Sequence, residues 1–310
     1  MSRLRFRRSI FACGLAAVLL ASCSGGNSAP TLPSGSIALK PAAKNGALLY
    51  VSDLQSNTVL VYSYPQGKHL GTLTNFGTPR SLCSDAVGNV WIADTEGEDV
   101  VEYAHGGTTP LAGLNINGPP TGCSVDPVTG NLAVSGGEGG IVLSIFRKTK
   151  HGWGSPRRLL DQSMDTPGFC AYDDKGNLFL DGRDKANGNA FLFYELRHGA
   201  RSFVHLKLDQ TIKMPGQVQW DGSSIAVADA GVSPTPVYRF AISKANGRLT
   251  GTTRLRGSRT VRQFWIDGGT LIGPNPAGHD LGFWTYPDGG SPLNTISNLN
   301  AYGATVSAGQ

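Results

Sequence analysis

The sequence predicts an all-β protein, a six-bladed β-propeller in which a C-terminal strand completes the N-terminal blade and closes the ring. Three observations predict it: a hairpin written repeatedly at one period, a composition suited to strands and tight turns, and two chain ends that each carry part of a further unit. At 310 residues, with 42 glycines, 18 prolines, 40% hydrophobic and only 16% charged residues, the chain can bury a large core while reversing often.

Pro167 to Asp181, PGFCAYDDKGNLFLD, shows the hairpin: a proline, an apolar run to Asp173, a reversal at Gly176-Asn177, and a second apolar run. Four stretches place a proline six residues before an aspartate: Pro79 to Asp85, Pro120 to Asp126, Pro167 to Asp173 and Pro215 to Asp221. Val261 to Asp267 keeps the aspartate without the proline. A glycine turn follows each, then a second strand: VWIAD to Asp94, LAVSG to Gly136, LFLDG to Gly182, IAVAD to Asp229 and TLIGPN to Asn275. The prolines recur after 41, 47 and 48 residues, a period at which one repeat is one blade. Third runs (VVEYA, GIVLSIF, AFLFYEL, PVYRF, LGFWTY) and weaker fourth runs such as FVHLKL complete four antiparallel strands per unit.

The ends supply the sixth blade. Leu48 to Asp53 matches a second strand and Val59 to Tyr62 a third, with no first strand before them; Ala301 to Ser307 reads as a first strand with nothing after it. Joining the two closes the ring and protects edges that an open sheet would expose.

The pattern resembles the NHL-type repeat, in which a proline, a small residue, two hydrophobic positions and an aspartate lead through Gly-Asn into a strand ending in Asp. It is similar, more distantly, to gluconolactonases and strictosidine synthase-like propellers. The likeness covers residues 47 to 307, and departs from the repeat where Ser135-Gly136 and Asn275 stand for the terminal aspartate. It implies architecture rather than activity.

The remaining chain is expected to address the protein. Arg3, Arg5, Arg7 and Arg8 precede an apolar stretch, Ile10 to Ala21, too short for the ~20 residues of a spanning helix, so residues 1–22 read as a signal peptide. Leu20-Ala21-Ser22-Cys23 resembles the lipobox of bacterial lipoproteins, which implies cleavage before Cys23 and a diacylglycerol on its thiol. Residues 23–46 then form the lipidated N-terminus and a flexible linker spanning on the order of 25 Å, ahead of a propeller over 47–310. The formal charge of +5 falls to +1 without the four arginines, 23 basic residues against 22 acidic ones, which gives no support to nucleic-acid binding. The expected setting is a bacterial cell envelope, with a monomer anchored to the membrane through its lipid.

Antiparallel order gathers the second-to-third strand loops and the blade-to-blade connections at one mouth of the channel. That mouth is the expected ligand face, with Asp94, Asp181, Asp229, Asn275 and His279 as candidate residues, although the aspartates are also suited to bonding turn backbone. The run Asp94 to Asp99, DTEGED, lacks the spacing of a calcium loop and reads as a solvated hairpin. Basic clusters, Arg147, Lys148, Lys150, Arg157 and Arg158 in one and Arg254, Arg256, Arg259 and Arg262 in the other, fall on opposite faces and read as solvated loops. Cys83, Cys123 and Cys170 remain after the N-terminal pair; alternation allows Cys83 to meet Cys123 between blades 2 and 3 as a disulfide, while buried thiols that fill space are the favoured reading. The six histidines make no constellation. The expected function is a binding or scaffold module for a protein, glycan or small molecule, without a cofactor. The alternative, implied by the resemblance to gluconolactonases, is a metal-dependent hydrolase with calcium near the axis held by a Glu, two Asn and an Asp from different blades; Glu96, Glu98, Glu102 and Glu138 lie in or near charged loops and no inner strand carries one.

Overall fold

Local turn chemistry builds each hairpin. In the computed structural model, which describes residues 46–309, Asp173 Oδ1 accepts the backbone N–H groups of Lys175 and Asn177 at 2.9 and 2.8 Å, and Asp85 Oδ1 does the same for Val87 and Asn89 at 3.1 and 2.8 Å. Gly176 takes φ 77° in that turn, and a Cβ there would stand 2.6 Å from His198 Nδ1, so the turn needs its glycine twice over.

The hairpins assemble into six sheets of a β-propeller. Counted outward from the channel, blade 1 is Ala301–Ser307, Leu48–Asp53, Thr58–Ser63 and His69–Leu73; blade 2 is Pro79–Ser84, Val90–Asp94, Asp99–Tyr103 and Pro110–Asn115. Blade 3 is Pro120–Val125, Leu132–Gly136, Ile141–Phe146 and Arg157–Leu160; blade 4 is Met164–Tyr172, Leu178–Asp184, Phe191–Leu196 and Val204–His205. Blade 5 is Val218–Trp220, Ile225–Ala228, Pro236–Ser243 and Asn246–Leu255, and blade 6 is Trp265–Asp267, Thr270–Asn275, Asp280–Thr285 and Asn294–Ser297. Ring closure follows the expected register, with Leu48 opposite Ser307 and Val51 opposite Ala304 in an antiparallel pair.

Three local features go beyond the repeat. The run FVHLKL divides, Val204–His205 completing blade 4 while Lys207–Leu208 pairs in parallel with Asn246–Leu255 of blade 5. Gly289–Gly290, from the connection inside blade 6, joins the same outer strand at Arg254 and Leu255. A short hairpin, Lys148–Thr149 with Gly152–Trp153, folds out of blade 3, and Trp153 stacks edge-on against Trp91 of blade 2 with ring centres 5.0 Å apart.

Second strands lie in the middle of their sheets with a neighbouring blade on each face, so they are buried along their whole length, as in Leu48–Asp53 and Val90–Asp94. Their alternating side chains serve two different cores: Leu48 and Tyr50 pack toward blade 2, Leu49 and Val51 toward blade 6. Among the described residues the apolar core forms six clusters, one for each blade interface.

Candidate functional site

The second strands deliver Asp94, Asp181, Asp229 and Asn275 to the expected mouth, and there each one holds backbone. Asp94 accepts the N–H groups of Gly77 and Thr78 at 2.7 and 2.6 Å, and Asp229 those of Lys213 and Met214 at 3.0 and 3.1 Å. Asn275 Oδ1 takes the N–H of Arg259 at 2.9 Å, and Asp53 fastens Asn300 at 3.0 Å. In all four cases the donor belongs to the connection arriving from the preceding blade. Asp181, fully buried, instead ties Phe169 of its own blade at 2.6 Å to Gly216 of the next at 3.1 Å; burial lifts its carboxyl well above the usual range, against the pull of the two N–H donors. His279 is exposed and ends a 3₁₀ turn over Pro276–Gly278 in the left-handed conformation, φ 54°.

Other charged groups depart from their expected settings. Asp94 and Asp99 are buried within the DTEGED hairpin while Glu96 and Glu98 are exposed, so only its tip is solvated. Glu102 lies inside a strand, not a loop, and accepts bonds from Asn89 Nδ2 at 3.1 Å and Trp153 Nε1 at 3.3 Å. The oxygens at the second-strand ends are engaged by backbone N–H groups. Among the described residues no three His, Cys, Asp or Glu are grouped to hold an ion.

Cys83 and Cys123 are disulfide-bonded, with Cα atoms 5.8 Å apart, in place of the space-filling thiols that the composition favoured. Both lie on first strands, and the bond clamps blades 2 and 3 at the channel wall. Among the described residues Cys170 is the free thiol; complete burial pushes its pKa up to about 12, so it stays protonated.

One side chain spans two blades along the first strands. Gln263, at the start of blade 6, donates from Nε2 to Leu82 O at 2.6 Å and Ser81 Oγ at 3.1 Å, and accepts from Leu82 N at 3.3 Å. It thus bridges blades 6 and 2 in front of blade 1, where Gly303 leaves room; a Cβ there would collide with Gln263 Oε1 and Arg80 O.

A cavity of about 430 Å³ opens at the mouth opposite the second-strand ends, among the first-to-second strand turns. The disulfide forms one wall with Cys170 beside it, and Tyr172, Val218, Trp220 and Trp265 supply apolar and aromatic surface. Asp85, Asp126, Asp173 and Asp174 line it as well, against a single cation, Lys148, which stands 4.0 Å from Asp85. This size and lining suit a small organic ligand. The cavity therefore lies at the mouth away from the long loops. Tyr172 and Trp220, each one residue before a turn aspartate, are half-buried: both pack against the clusters between blades and also face the cavity.

The six sheets and the ring closure make this chain a six-bladed β-propeller with a cavity at one mouth of its channel. No family model matches the chain, and no curated protein matches it. Among solved structures it resembles a chain of the nidogen/laminin complex, at 13% identity and TM-score 0.67 over 85% of this chain and 99% of that one. It also resembles a candidate 6-phosphogluconolactonase of Bacteroides fragilis, at 10% identity and TM-score 0.56 over 86% and 99%. Virginiamycin B lyase of Staphylococcus aureus, crystallised in an inactive form with quinupristin, matches at 14% identity and TM-score 0.55 over 87% of each chain. Likeness at this level is a likeness of fold.

Proposed function

We propose that the protein is a lipid-tethered binding module of the bacterial cell envelope, anchored through Cys23 and presenting the cavity at the first-to-second strand mouth to a small ligand. The cavity carries this reading: it is enclosed by four blades plus Trp265 of a fifth, walled by a disulfide, and lined by aromatic side chains held on strands rather than on loops. The aspartates of the other mouth support it from the opposite side, because their oxygens are engaged in holding blade connections. A linker of the length of residues 23–46 would let the ring stand off the bilayer by about its own radius.

A charge-balanced fragment collection read by ligand-observed NMR tests the site. Hits should bind the wild-type chain, weaken in Trp220→Ala and persist in His279→Ala. Hits lost in His279→Ala and kept in Trp220→Ala would move the site to the other mouth. For the anchor, globomycin, which blocks lipoprotein signal cleavage, should cause the precursor to accumulate; unchanged processing would remove Cys23 from the proposal.

A further inference from the structure

Gln217 and Gln263 occupy the same place in the repeat, four residues before the turn aspartates Asp221 and Asp267. Gln263 uses both ends of its amide. Gln217 uses one: Nε2 donates to Val218 O at 3.0 Å, while Oε1 has no partner among the described residues, although the side chain is only 4% exposed and lines the cavity. This leaves Gln217 Oε1 as an acceptor at the cavity wall, free to meet a hydrogen-bond donor placed in the cavity.

The surroundings narrow the donor's chemistry. Four aspartates face one lysine around the cavity, and Lys148 is already near Asp85 and lies 5.6 Å from the ring centre of Trp153, so the field favours a cation. The indoles of Trp220 and Trp265 and the phenol of Tyr172 present aromatic surface, which attracts positive charge at its faces and packs a flat apolar body. An anion would meet the carboxylates. A quaternary ammonium would satisfy the field but offers no N–H.

Resting on the cavity as the binding site, we infer that it takes an organic cation with an N–H donor: a primary or secondary ammonium on an apolar, aromatic-sized body. The ammonium answers Gln217 in the negative field of the wall, with the exposed Asp174 as its nearest open carboxylate because Asp85, Asp126 and Asp173 hold their own turns, and the body fills the space between the indoles and the disulfide.

Isothermal titration of the full chain with three indoles of nearly one shape tests this: tryptamine, a cation at neutral pH; tryptophol, its neutral alcohol; and indole-3-acetate, an anion. Tryptamine should bind about tenfold more tightly than tryptophol, and indole-3-acetate more weakly still. Asp174→Asn, at an exposed position where folding is not at stake, should weaken tryptamine about threefold without changing tryptophol. Gln217→Met, similar in volume without the acceptor, should weaken tryptamine about tenfold. If tryptophol or indole-3-acetate binds as tightly as tryptamine and Trp220→Ala abolishes that binding, the cation assignment falls and the cavity stands. If none of the three binds the wild type, or Trp220→Ala leaves binding unchanged, the cavity reading falls and the inference with it.

Discussion

Buried carboxylates of this protein are met by donors, backbone N–H groups at Asp94 and Asp181 and side-chain N–H groups at Glu102, whereas the Asp99 carboxyl has no such donor among the described residues. It lies opposite Asp94 across the hairpin of blade 2, and Asp94 already holds two N–H groups. Burial first, and the neighbouring charge of Asp94 second, push the Asp99 carboxyl up to about 7. The folded state therefore prefers Asp99 protonated. A raised carboxyl contributes stability that is complete below its unfolded value, near 4, and lost as pH rises through the folded value near 7. Thermal unfolding of Asp99→Asn at a series of pH values should show a melting temperature above wild type at pH 8 and a smaller fall between pH 5 and 8. Parallel curves for the two proteins would mean that Asp99 ionises normally.

At the scale of the hairpin and its neighbours, the disulfide ties the first strands of blades 2 and 3 across 40 residues of chain. Chain-entropy arguments put such a crosslink at about 2–4 kcal/mol, so Cys83→Ala with Cys123→Ala should lower denaturant stability by that amount. A loss below about 0.5 kcal/mol would place the main restraint on that interface in its apolar cluster instead. This pairing also shows how far a repeat can be read. The turns were legible because Asp, Gly and Asn within five residues determine them. Interface alternation was legible too, and it brought Cys83 toward Cys123, but whether two facing cysteines bond depends on Cα spacing, which alternation does not contain. The partners of Asp94, Asp229 and Asn275 lie 15 to 17 residues upstream in connections that differ between blades, so the sequence shows the carboxylate and not what it holds. The cavity was least legible of all. Tyr172 and Trp220 sit at positions that also pack between blades, and Gln217, whose Oε1 lacks a partner among the described residues, differs from Gln263 only in its surroundings.

The ring as a whole depends on one seam. In blades 2 to 6 the four main strands are consecutive in sequence, whereas blade 1 takes its innermost strand from Ala301–Ser307. That strand does three jobs at once. It pairs with Leu48–Asp53. It supplies Ala301, Ala304 and Val306 to the cluster between blades 6 and 1. It bonds blade 2 through Ser84 Oγ to Val306 O at 2.7 Å and through the His105 and Ser307 side chains at 2.6 Å. Deleting residues 301–310 removes the innermost strand's share of the contact of blade 1 with both neighbours and exposes the edge of Leu48–Asp53, whose side chains are all buried in the closed ring. The truncated chain should therefore lose cooperative unfolding and associate through that edge, and a synthetic peptide of residues 299–309, supplied in excess, should restore the monomer by adding the missing strand. Size-exclusion chromatography with a near-ultraviolet circular dichroism melt reads both outcomes. A truncated protein that stays monomeric and melts in one sharp transition would show that five blades close without the seam.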